Sequence, residues 1–399
     1  MQPVARQELR NQVFLAFLPT SRCPQQWPQG PGLLALPPLA PRGYQRVGFY
    51  CAVALTVVNR SVSRSFLIAR IELHCLVWRW VRSMALRTTA ENHKMTTLTT
   101  VILAMLSINP LGSGTHTREL TVDGRSRRYV VYVPERRPDG RPWPVVLAFH
   151  GGGTNAEIMM RFSGLNEKAA EAGFLAVYPD GTGRLERMLT WNGGNCCGYA
   201  QRKKVDDVKF VGAVLDDLKT ALPIDPNRVF ATGMSNGAIL CYLLASQMAD
   251  RIAAIAPVSG TMGTATCAPC RPVSVCHFHG TQDDFLPYQG GLAKRSLTRT
   301  RFYSVEHSIR AWVRANGCNP EGKTTVLPDQ ADDGMRVVRT VYSGGKDDTE
   351  VVLYTIEGGG HTWPGRPSRL EYLGPCTRDI SANDVIWDFF LRHGRKKRS

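Results

Sequence analysis

Residue types suited to nucleophilic catalysis lie in a short segment near the middle of the chain. Gly233-Met234-Ser235-Asn236-Gly237 follows an apolar stretch that predicts a strand and precedes one that predicts a helix. The two glycines permit a sharp turn between these elements, and such a turn exposes the serine hydroxyl. Because a serine hydroxyl is a weak nucleophile at neutral pH, it needs a base, and the base needs an orienting acid. The segment predicts Ser235 as the nucleophile.

A base and an acid follow Ser235 in the chain order that this arrangement requires. His361 comes after the glycines at 358–360, at the end of a predicted strand, and a glycine-flanked loop histidine is poorly explained as core filling. Asp283 and Asp284 both follow another predicted strand. Position alone does not distinguish the two carboxylates, and the one that is not the catalytic acid would serve a turn or a helix cap.

N–H donors for a developing oxyanion are expected in two places. Attack on an ester places negative charge on the carbonyl oxygen, and each donor that faces this oxygen accelerates the reaction by roughly 10²–10³. The backbone N–H of Asn236 is one expected donor. The others are expected at Gly152 and Gly153 of the segment His150-Gly151-Gly152-Gly153, which follows a further buried strand. A phosphate-binding loop is the alternative, but the segment lacks both glycine patterns of such loops.

Other aromatic and histidine residues carry weaker signals. Trp191, Tyr199 and Trp363 lie near the predicted site in chain order and are predicted to line an acyl pocket, with an ordinary core position as the alternative. His277 and His279 alternate along one predicted strand. They are too few to bind a metal, so no metal is expected, and His279 is predicted to hydrogen-bond the turn after its strand.

Strands alternate with helices from about residue 117 onward. This alternation predicts a mainly parallel sheet flanked by helices, in which chemistry collects at the carboxyl ends of the strands. The predicted strands cover 127–133, 144–150, 174–178, 228–232, 252–258, 273–279 and 351–356, and the predicted helices cover 205–222, 238–248, 304–315 and 382–393.

The charge of the chain is concentrated at its two ends. The formal net charge of the 399 residues is +16, of which residues 1–94 contribute +9, from 12 Lys/Arg against 3 Asp/Glu. Five further positive charges lie in the last eight residues. The catalytic domain, predicted at 115–394, is therefore nearly neutral, and a basic tail is predicted at 395–399. Solvated ends of this kind argue against a nucleic-acid partner.

The cysteine content indicates an oxidising compartment. Eight of the 11 cysteines follow residue 190, a high number for a reducing cytosol, and this favours structural disulfides and export. The spacing of Cys267 and Cys270 is also that of half a zinc site or a redox pair, but no second pair completes such a site. The disulfide pairing does not follow from the sequence.

The first part of the chain lacks the pattern of a folded domain. Residues 1–83 are proline-rich and are predicted to be an unstructured upstream extension. Residues 84–114 combine a positive flank, the apolar run Leu98–Ile108 and small residues, as a secretory signal peptide does. Translation would then begin at Met84 or Met95; the alternative is a genuine N-terminal segment of unknown role. Because the apolar run is too short to span a bilayer, a secreted, extracellular or periplasmic protein without stable membrane insertion is predicted.

Seven segments between residues 117 and 393 form a specific set. They are HGGGTNA at 150–156, WNGGNCCGYA at 191–200, VDDVKFV at 205–211, GMSNGA at 233–238, HGTQDDFLPY at 279–288, GGGHTWPG at 358–365 and DISANDVIWDFF at 379–390. In these segments the chain resembles the polyhydroxybutyrate depolymerase / feruloyl esterase family. The resemblance implies an α/β-hydrolase fold with a single catalytic domain, secretion, and ester hydrolysis without a metal or organic cofactor. The family's GTxD motif aligns its acid with Asp283, and Ser235 and His361 match its nucleophile and base.

The chain departs from that family's pattern at its cysteines. Relatives often have a cysteine in a YSGC-like segment that can pair with the cysteine of an NGC segment. Here the corresponding segment, at 342–345, reads YSGG and leaves Cys318 without that partner. Cys376 stands where a different residue is expected, either as a replacement partner or as a free thiol.

Taken together, these features predict a secreted carboxylic ester hydrolase that forms an acyl-enzyme. The resemblance implies ester substrates of two kinds: short polyhydroxyalkanoate oligomers, or feruloyl and acetyl esters of plant cell-wall polysaccharides. One alternative is a prolyl-oligopeptidase-like serine peptidase, for which the sequence shows no propeller repeat. The other is a non-catalytic binding protein on the same fold, which would be expected to have lost Ser235, His361 or Asp283. The oligomeric state is not predicted.

Overall fold

The computed structural model describes residues 111–136, 140–295, 299–367 and 370–396. The predicted upstream extension and nearly all of the signal-peptide-like segment lie outside these residues. The strands are β1 (Gly114–Val122), β2 (Arg125–Val133), β3 (Trp143–Phe149), β4 (Leu175–Pro179), β5 (Ile224–Met234), β6 (Ala254–Val258), β7 (Ser274–Gly280), β8 (Gly291–Leu292), β9 (Arg301–Phe302), β10 (Lys323–Val326), β11 (Arg336–Tyr342) and β12 (Val351–Glu357). The helices are α1 (Ala156–Ser163), α2 (Leu165–Ala172), α3 (Gly198–Arg202), α4 (Asp207–Ala221), α5 (Asn236–Gln247), α6 (Val305–Asn316) and α7 (Ala382–Arg392).

Ten of the strands form one sheet in the order β1-β2-β4-β3-β5-β6-β7-β12-β11-β10. The central strands from β4 through β3, β5, β6 and β7 to β12 pair in parallel, whereas the pairs at both edges are antiparallel. This is the α/β-hydrolase arrangement, and the predicted fold class is confirmed. Because the parallel strands point the same way, their carboxyl ends meet at one edge of the sheet.

The sheet is covered on both faces, as its composition requires. Strands β4, β6 and β7 are buried along their whole length, the pattern expected of parallel strands with helices on both sides. Alternate residues of β3 enter different cores: Leu147 and Phe149 pack with α4, α5 and α6, whereas Val146 and Ala148 pack with α1, α2 and α7. No helix among the described residues is long and apolar enough to cross a bilayer.

A buried ion pair ties β2 to α4. Nη2 of Arg127 donates to Oδ1 of Asp207 at 2.8 Å and to the carbonyl of Asp180 at 3.1 Å, and the guanidinium lies 3.8 Å from the ring centroid of Phe210. The two charged side chains are 2% and 0% exposed. Oδ2 of Asp207 also accepts the N–H of Asn192 at 2.8 Å, so the pair anchors the long loop after β4.

Removing one partner of this pair is expected to destabilise the fold strongly. Arg127→Met leaves the Asp207 carboxylate buried and unpaired, a change that costs about 3–5 kcal/mol of unfolding free energy. Urea unfolding measures the effect. The exposed Arg125 of the same strand supplies a matched control, and Arg125→Met should change stability by less than about 0.5 kcal/mol. The double variant Arg127→Met/Asp207→Asn should recover part of the loss, and failure to do so would contradict the explanation.

The described cysteines fall into two classes. Cys196 is joined to its neighbour Cys197, and Cys270 is also disulfide-bonded, so Cys267 and Cys270 do not pair with each other. The free thiols are Cys241, Cys267, Cys276, Cys318 and Cys376. A Cβ atom added at Gly345 would lie 2.8 Å from Sγ of Cys318, so the glycine occupies the place from which a second cysteine could reach it. Within the described ranges no cluster of three or more His, Cys, Asp or Glu side chains could hold a metal.

Candidate active site

Ser235 stands on a strained turn between β5 and α5. Its φ and ψ are 59° and −119°, a conformation that costs a non-glycine residue of order 1–3 kcal/mol. Its N–H donates to the carbonyl of Val258 at the end of β6, at 2.9 Å. The turn also needs Gly237, because a Cβ there would lie within 3 Å of two carbonyl oxygens at the end of β3. The side chain of Ser235 is thereby held at the carboxyl edge of the sheet.

His361 and Asp283 are hydrogen-bonded to each other at the same edge. Nδ1 of His361 lies 2.7 Å from Oδ2 of Asp283, and both residues are buried. The imidazole loop is fixed by its backbone, because the N–H of His361 donates to the carbonyl of Leu373 at 2.6 Å. With Nδ1 occupied by the carboxylate, Nε2 is the ring nitrogen available to accept a proton from a nucleophile.

The Asp283 carboxylate is held ionised by its surroundings. Its Oδ1 accepts the N–H groups of Phe285 and Leu286, each at 2.8 Å. Burial alone would raise the pKa of Asp283, but His361, His279 and the N–H of Leu286 together hold that pKa below its ordinary value. A stable negative charge at this place can orient an imidazole and stabilise its protonated form.

The neighbouring Asp284 has a different role. Its carboxylate is 39% exposed and pairs with Lys294, at 3.1 Å, and with Arg295, at 3.8 Å. Residue position alone left the acid undecided between Asp283 and Asp284. The structure places only the first of them against His361.

The loops that carry the serine, the acid and the base contact one another. Next to the Ser235 turn, the hydroxyl of Ser259 lies 3.4 Å from the carbonyl of Thr362, the residue after His361. At the end of β7, Gly280 packs so closely against the glycines before His361 that a Cβ there would lie 2.2 Å from the carbonyl oxygen of Gly359. The structure therefore gathers Ser235, Asp283 and His361 at one edge of the sheet.

The glycine segment after β3 lies against the serine turn. Cβ atoms built at Gly151 and Gly152 would lie 3.5 Å from Cβ of Ser235 and 3.6 Å from Cβ of Asn236. Asn236 is the first residue of α5, where a backbone N–H has no acceptor within the helix. The N–H of Gly153, by contrast, donates to the carbonyl of Leu189 at 2.8 Å. Gly153 therefore braces the loop instead of supplying the donor that was predicted there, and Gly152 and Asn236 remain as donor candidates.

The side chain of Asn236 and Trp191 form a clamp that sequence reasoning missed. Oδ1 of Asn236 accepts the N–H of Trp191 at 2.7 Å, and its Nδ2 donates to the carbonyl of the same residue at 3.1 Å. The indole N–H of Trp191 donates to the carbonyl of His150 at 3.0 Å. Both the serine turn and the glycine segment are thus fastened to the loop after β4. An amide directly after a predicted nucleophile is a weak signal, because its partner lies 45 residues away.

Two of the three predicted pocket aromatics occupy the core. Trp191 and Trp363 are fully buried, so neither side chain offers surface to a substrate. Both residues support neighbouring loops instead of lining the predicted pocket. Nε1 of Trp363 donates to Oδ1 of Asn383 in α7 at 3.0 Å. Tyr199, on α3, is partly exposed, and its pocket role stays a prediction.

An apolar rim beside His361 was not predicted. The ring centroid of Phe285 lies 5.0 Å from that of His361 and 6.1 Å from that of Tyr372, whose side chain is half exposed. Phe285 packs against a buried cluster that we call the rim cluster, formed by Cys196, Ile239, Leu286 and Phe302. These residues come from four separate parts of the chain, so no local sequence pattern marks them.

Known proteins are similar to this chain in sequence. Residues 127–281 match the family model described as Esterase PHB depolymerase. The chain is 31% identical over 299 residues to the "Putative esterase NocK" of Nocardia uniformis, covering 71% of this chain and 84% of that protein. The chain belongs to the PHB depolymerase esterase family. It is a serine carboxylic ester hydrolase.

Other family esterases are similar at lower identity. "Feruloyl esterase D" of Neurospora crassa is 28% identical over 316 residues, which cover 74% of this chain and 97% of that protein. "Feruloyl esterase B" of Piromyces equi is 28% identical over 244 residues, 59% of this chain and 42% of that longer protein. Among solved structures, an acetyl xylan esterase from Aspergillus awamori aligns with 69% of this chain and 99% of its own, with a TM-score of 0.47 and 15% identity.

Proposed function

We propose that this family member hydrolyses carboxylic esters through a triad of Ser235, His361 and Asp283. The observation that carries the proposal is the 2.7 Å contact between Nδ1 of His361 and Oδ2 of Asp283 beside the strained serine turn. Ser235 attacks the ester carbonyl while Nε2 of His361 takes its proton and returns it to the leaving alcohol. Water, with His361 again as base, then cleaves the acyl-enzyme. The N–H groups of Asn236 and Gly152 stabilise the oxyanion.

The proposed substrates are feruloyl or acetyl esters of cell-wall polysaccharides, or short polyhydroxyalkanoate oligomers. The names of the relatives support the first class, since they include feruloyl esterases and, in Neocallimastix patriciarum, a "Bifunctional acetylxylan esterase/xylanase XynS20E". The aromatic side chains beside His361 add a physical reason, because Phe285 and Tyr372 offer surface to an aromatic or apolar acyl group. We propose further that the protein is secreted, on the basis of the signal-peptide-like segment at 84–114.

A substrate panel tests this function. Purified protein should hydrolyse p-nitrophenyl acetate, p-nitrophenyl butyrate and methyl ferulate, and a prolyl peptide anilide should not be cleaved. Hydrolysis of the anilide with no activity on the esters would favour the peptidase alternative. No Ser235-dependent hydrolysis of any substrate would refute the enzyme mechanism. His307→Gln, at a partly exposed site on α6, is a control that should behave as the unmodified protein.

A further inference from the structure

Three buried polar side chains near the site have no part in the proposed triad. His277 and His279 lie two residues apart on β7, so both point to the same face of the sheet, and both are 0% exposed. Tyr242 reaches them from α5 and is 2% exposed. Nε2 of His277 lies 3.1 Å from Nδ1 of His279, and the hydroxyl of Tyr242 lies 2.8 Å from Nδ1 of His277. Buried polar groups joined in this way form one network.

The directions of the hydrogen bonds in this network are determined at one end. Nε2 of His279 lies 2.8 Å from the carbonyl oxygen of Leu286, and a carbonyl only accepts, so this nitrogen carries the proton. Burial lowers the pKa of both histidines, which are therefore neutral. A neutral His279 accepts at Nδ1 from Nε2–H of His277, and Nδ1 of His277 accepts from the hydroxyl of Tyr242. Each N–H or O–H donor in this hydrogen-bond network therefore points toward the carboxyl end of β7.

The network ends on the peptide that holds the catalytic acid. The carbonyl of Leu286 accepts from His279, while the N–H of the same residue donates to Oδ1 of Asp283 at 2.8 Å. Nε2 of His279 also lies 3.5 Å from Oδ2 of Asp283, the oxygen that receives His361. The predicted contact of His279 with the turn after its strand is confirmed. The turn that carries Asp283 is thus held by two N–H groups, that of Leu286 and Nε2–H of His279, and both lie close to the Asp283 carboxylate.

We infer that His279 is a positioning residue for the esterase reaction, and that His277 and Tyr242 keep it in the required tautomer and orientation. The inference rests on the proposed triad. His279 fixes Leu286 and, through that residue, the direction in which Asp283 presents Oδ2 to the imidazole. A misplacement of a reacting group by about 1 Å costs on the order of 100-fold in rate. Loss of His279 should therefore lower kcat without weakening substrate binding.

A double-mutant cycle between His279 and Asp283 tests this inference. His279→Leu should lower kcat for p-nitrophenyl acetate by about 100-fold with little change in KM. In an Asp283→Ala background the same substitution should have no further effect, because it acts through the carboxylate. His279→Gln, whose amide N–H can still donate to the carbonyl of Leu286, should recover about tenfold of the lost kcat. His307→Gln serves as the histidine control and should retain full activity.

Two results would overturn the inference. One is a His279→Leu variant with the kcat of the unmodified enzyme, and the other is an equal loss in both backgrounds, which would indicate a general structural defect. If His279→Leu does not fold, Tyr242→Phe replaces it, because that change removes a single hydroxyl. We expect Tyr242→Phe to lower kcat several-fold in the unmodified enzyme and to have no effect in the Asp283→Ala background. An unchanged kcat in Tyr242→Phe overturns the inference. An unmodified enzyme without Ser235-dependent hydrolysis would instead refute the proposed function.

Discussion

Ser235→Ala should lower kcat for p-nitrophenyl acetate by at least about 10⁴-fold, because the proposed mechanism then lacks the hydroxyl that attacks the ester carbonyl. Alanine carries a Cβ as serine does, so the steric strain of this turn and the unfolding free energy should change little. KM should also stay close to its original value, since the substrate contacts other than the nucleophile remain. Stopped assays with enough enzyme to detect the residual rate measure the effect.

The control for this variant is a serine beside the site that is not the proposed nucleophile. Ser259 follows β6 and contacts the carbonyl of Thr362 through its hydroxyl. Ser259→Ala should retain activity within about tenfold, the cost expected from one lost hydrogen bond of about 1 kcal/mol. Equal losses in the two variants, or undiminished activity in Ser235→Ala, would contradict the proposed nucleophile.

The fold should lose stability steeply when the pH falls below neutrality. Burial lowers the pKa of His150 to about 4, and it also lowers the pKa values of His277 and His279. These histidines stay neutral in the folded state, whereas in the unfolded chain they take up protons near pH 6.5. Their contribution is therefore fully present above pH 6.5 and is lost below it, at up to about 4 kcal/mol per pH unit. Burial raises the pKa values of Asp180 and Asp207, which acts in the opposite direction and reduces this slope.

Urea unfolding at pH 7, 6 and 5 measures this slope, and one substitution isolates a single histidine. In the folded state, Nε2 of His150 accepts the N–H of Gly181 at 3.0 Å, while Nδ1 faces the carbonyl of Gly151 at 2.8 Å. His150→Gln keeps an acceptor for Gly181 and cannot titrate, so the slope should fall by up to about 1.4 kcal/mol per pH unit. A pH-independent stability would contradict the assignment of neutral buried histidines.

The central part of the fold follows from sequence periodicity, whereas its periphery does not. All seven predicted strands and four predicted helices are present, with ends that differ by a few residues. Strand β1 of the β1–β2 hairpin was not predicted, although Asp123-Gly124 is a recognised turn signal and both residues have positive φ. Helices α1 and α2 have only eight residues each, too few for a clear apolar period, and their ends are set by Asn155 and two glycines.

The candidate site shows the same division. The placement of Ser235, His361 and the neighbours Asp283 and Asp284 at one edge of the sheet could be predicted because each follows a strand, whereas position did not distinguish the two carboxylates. The roles of Gly153 and Trp191 could not, because each depends on a hydrogen bond to a residue that is 36 or 45 positions away. Polar networks of this kind depend on the packing of loops, which local propensity does not determine.

The position of Leu286 has a consequence for attempts to redesign specificity. Its side chain belongs to the rim cluster, while its peptide groups connect His279 to Asp283. A substitution that enlarges or reshapes the rim cluster at Phe302 or Ile239 shifts the packing of Leu286 and thus the alignment of the Asp283 carboxylate. Substitutions selected at these positions for bulkier substrates should therefore lower turnover as they widen acceptance. A variant at Tyr372, which lies outside the turn that holds Asp283, changes the aromatic surface without altering this peptide.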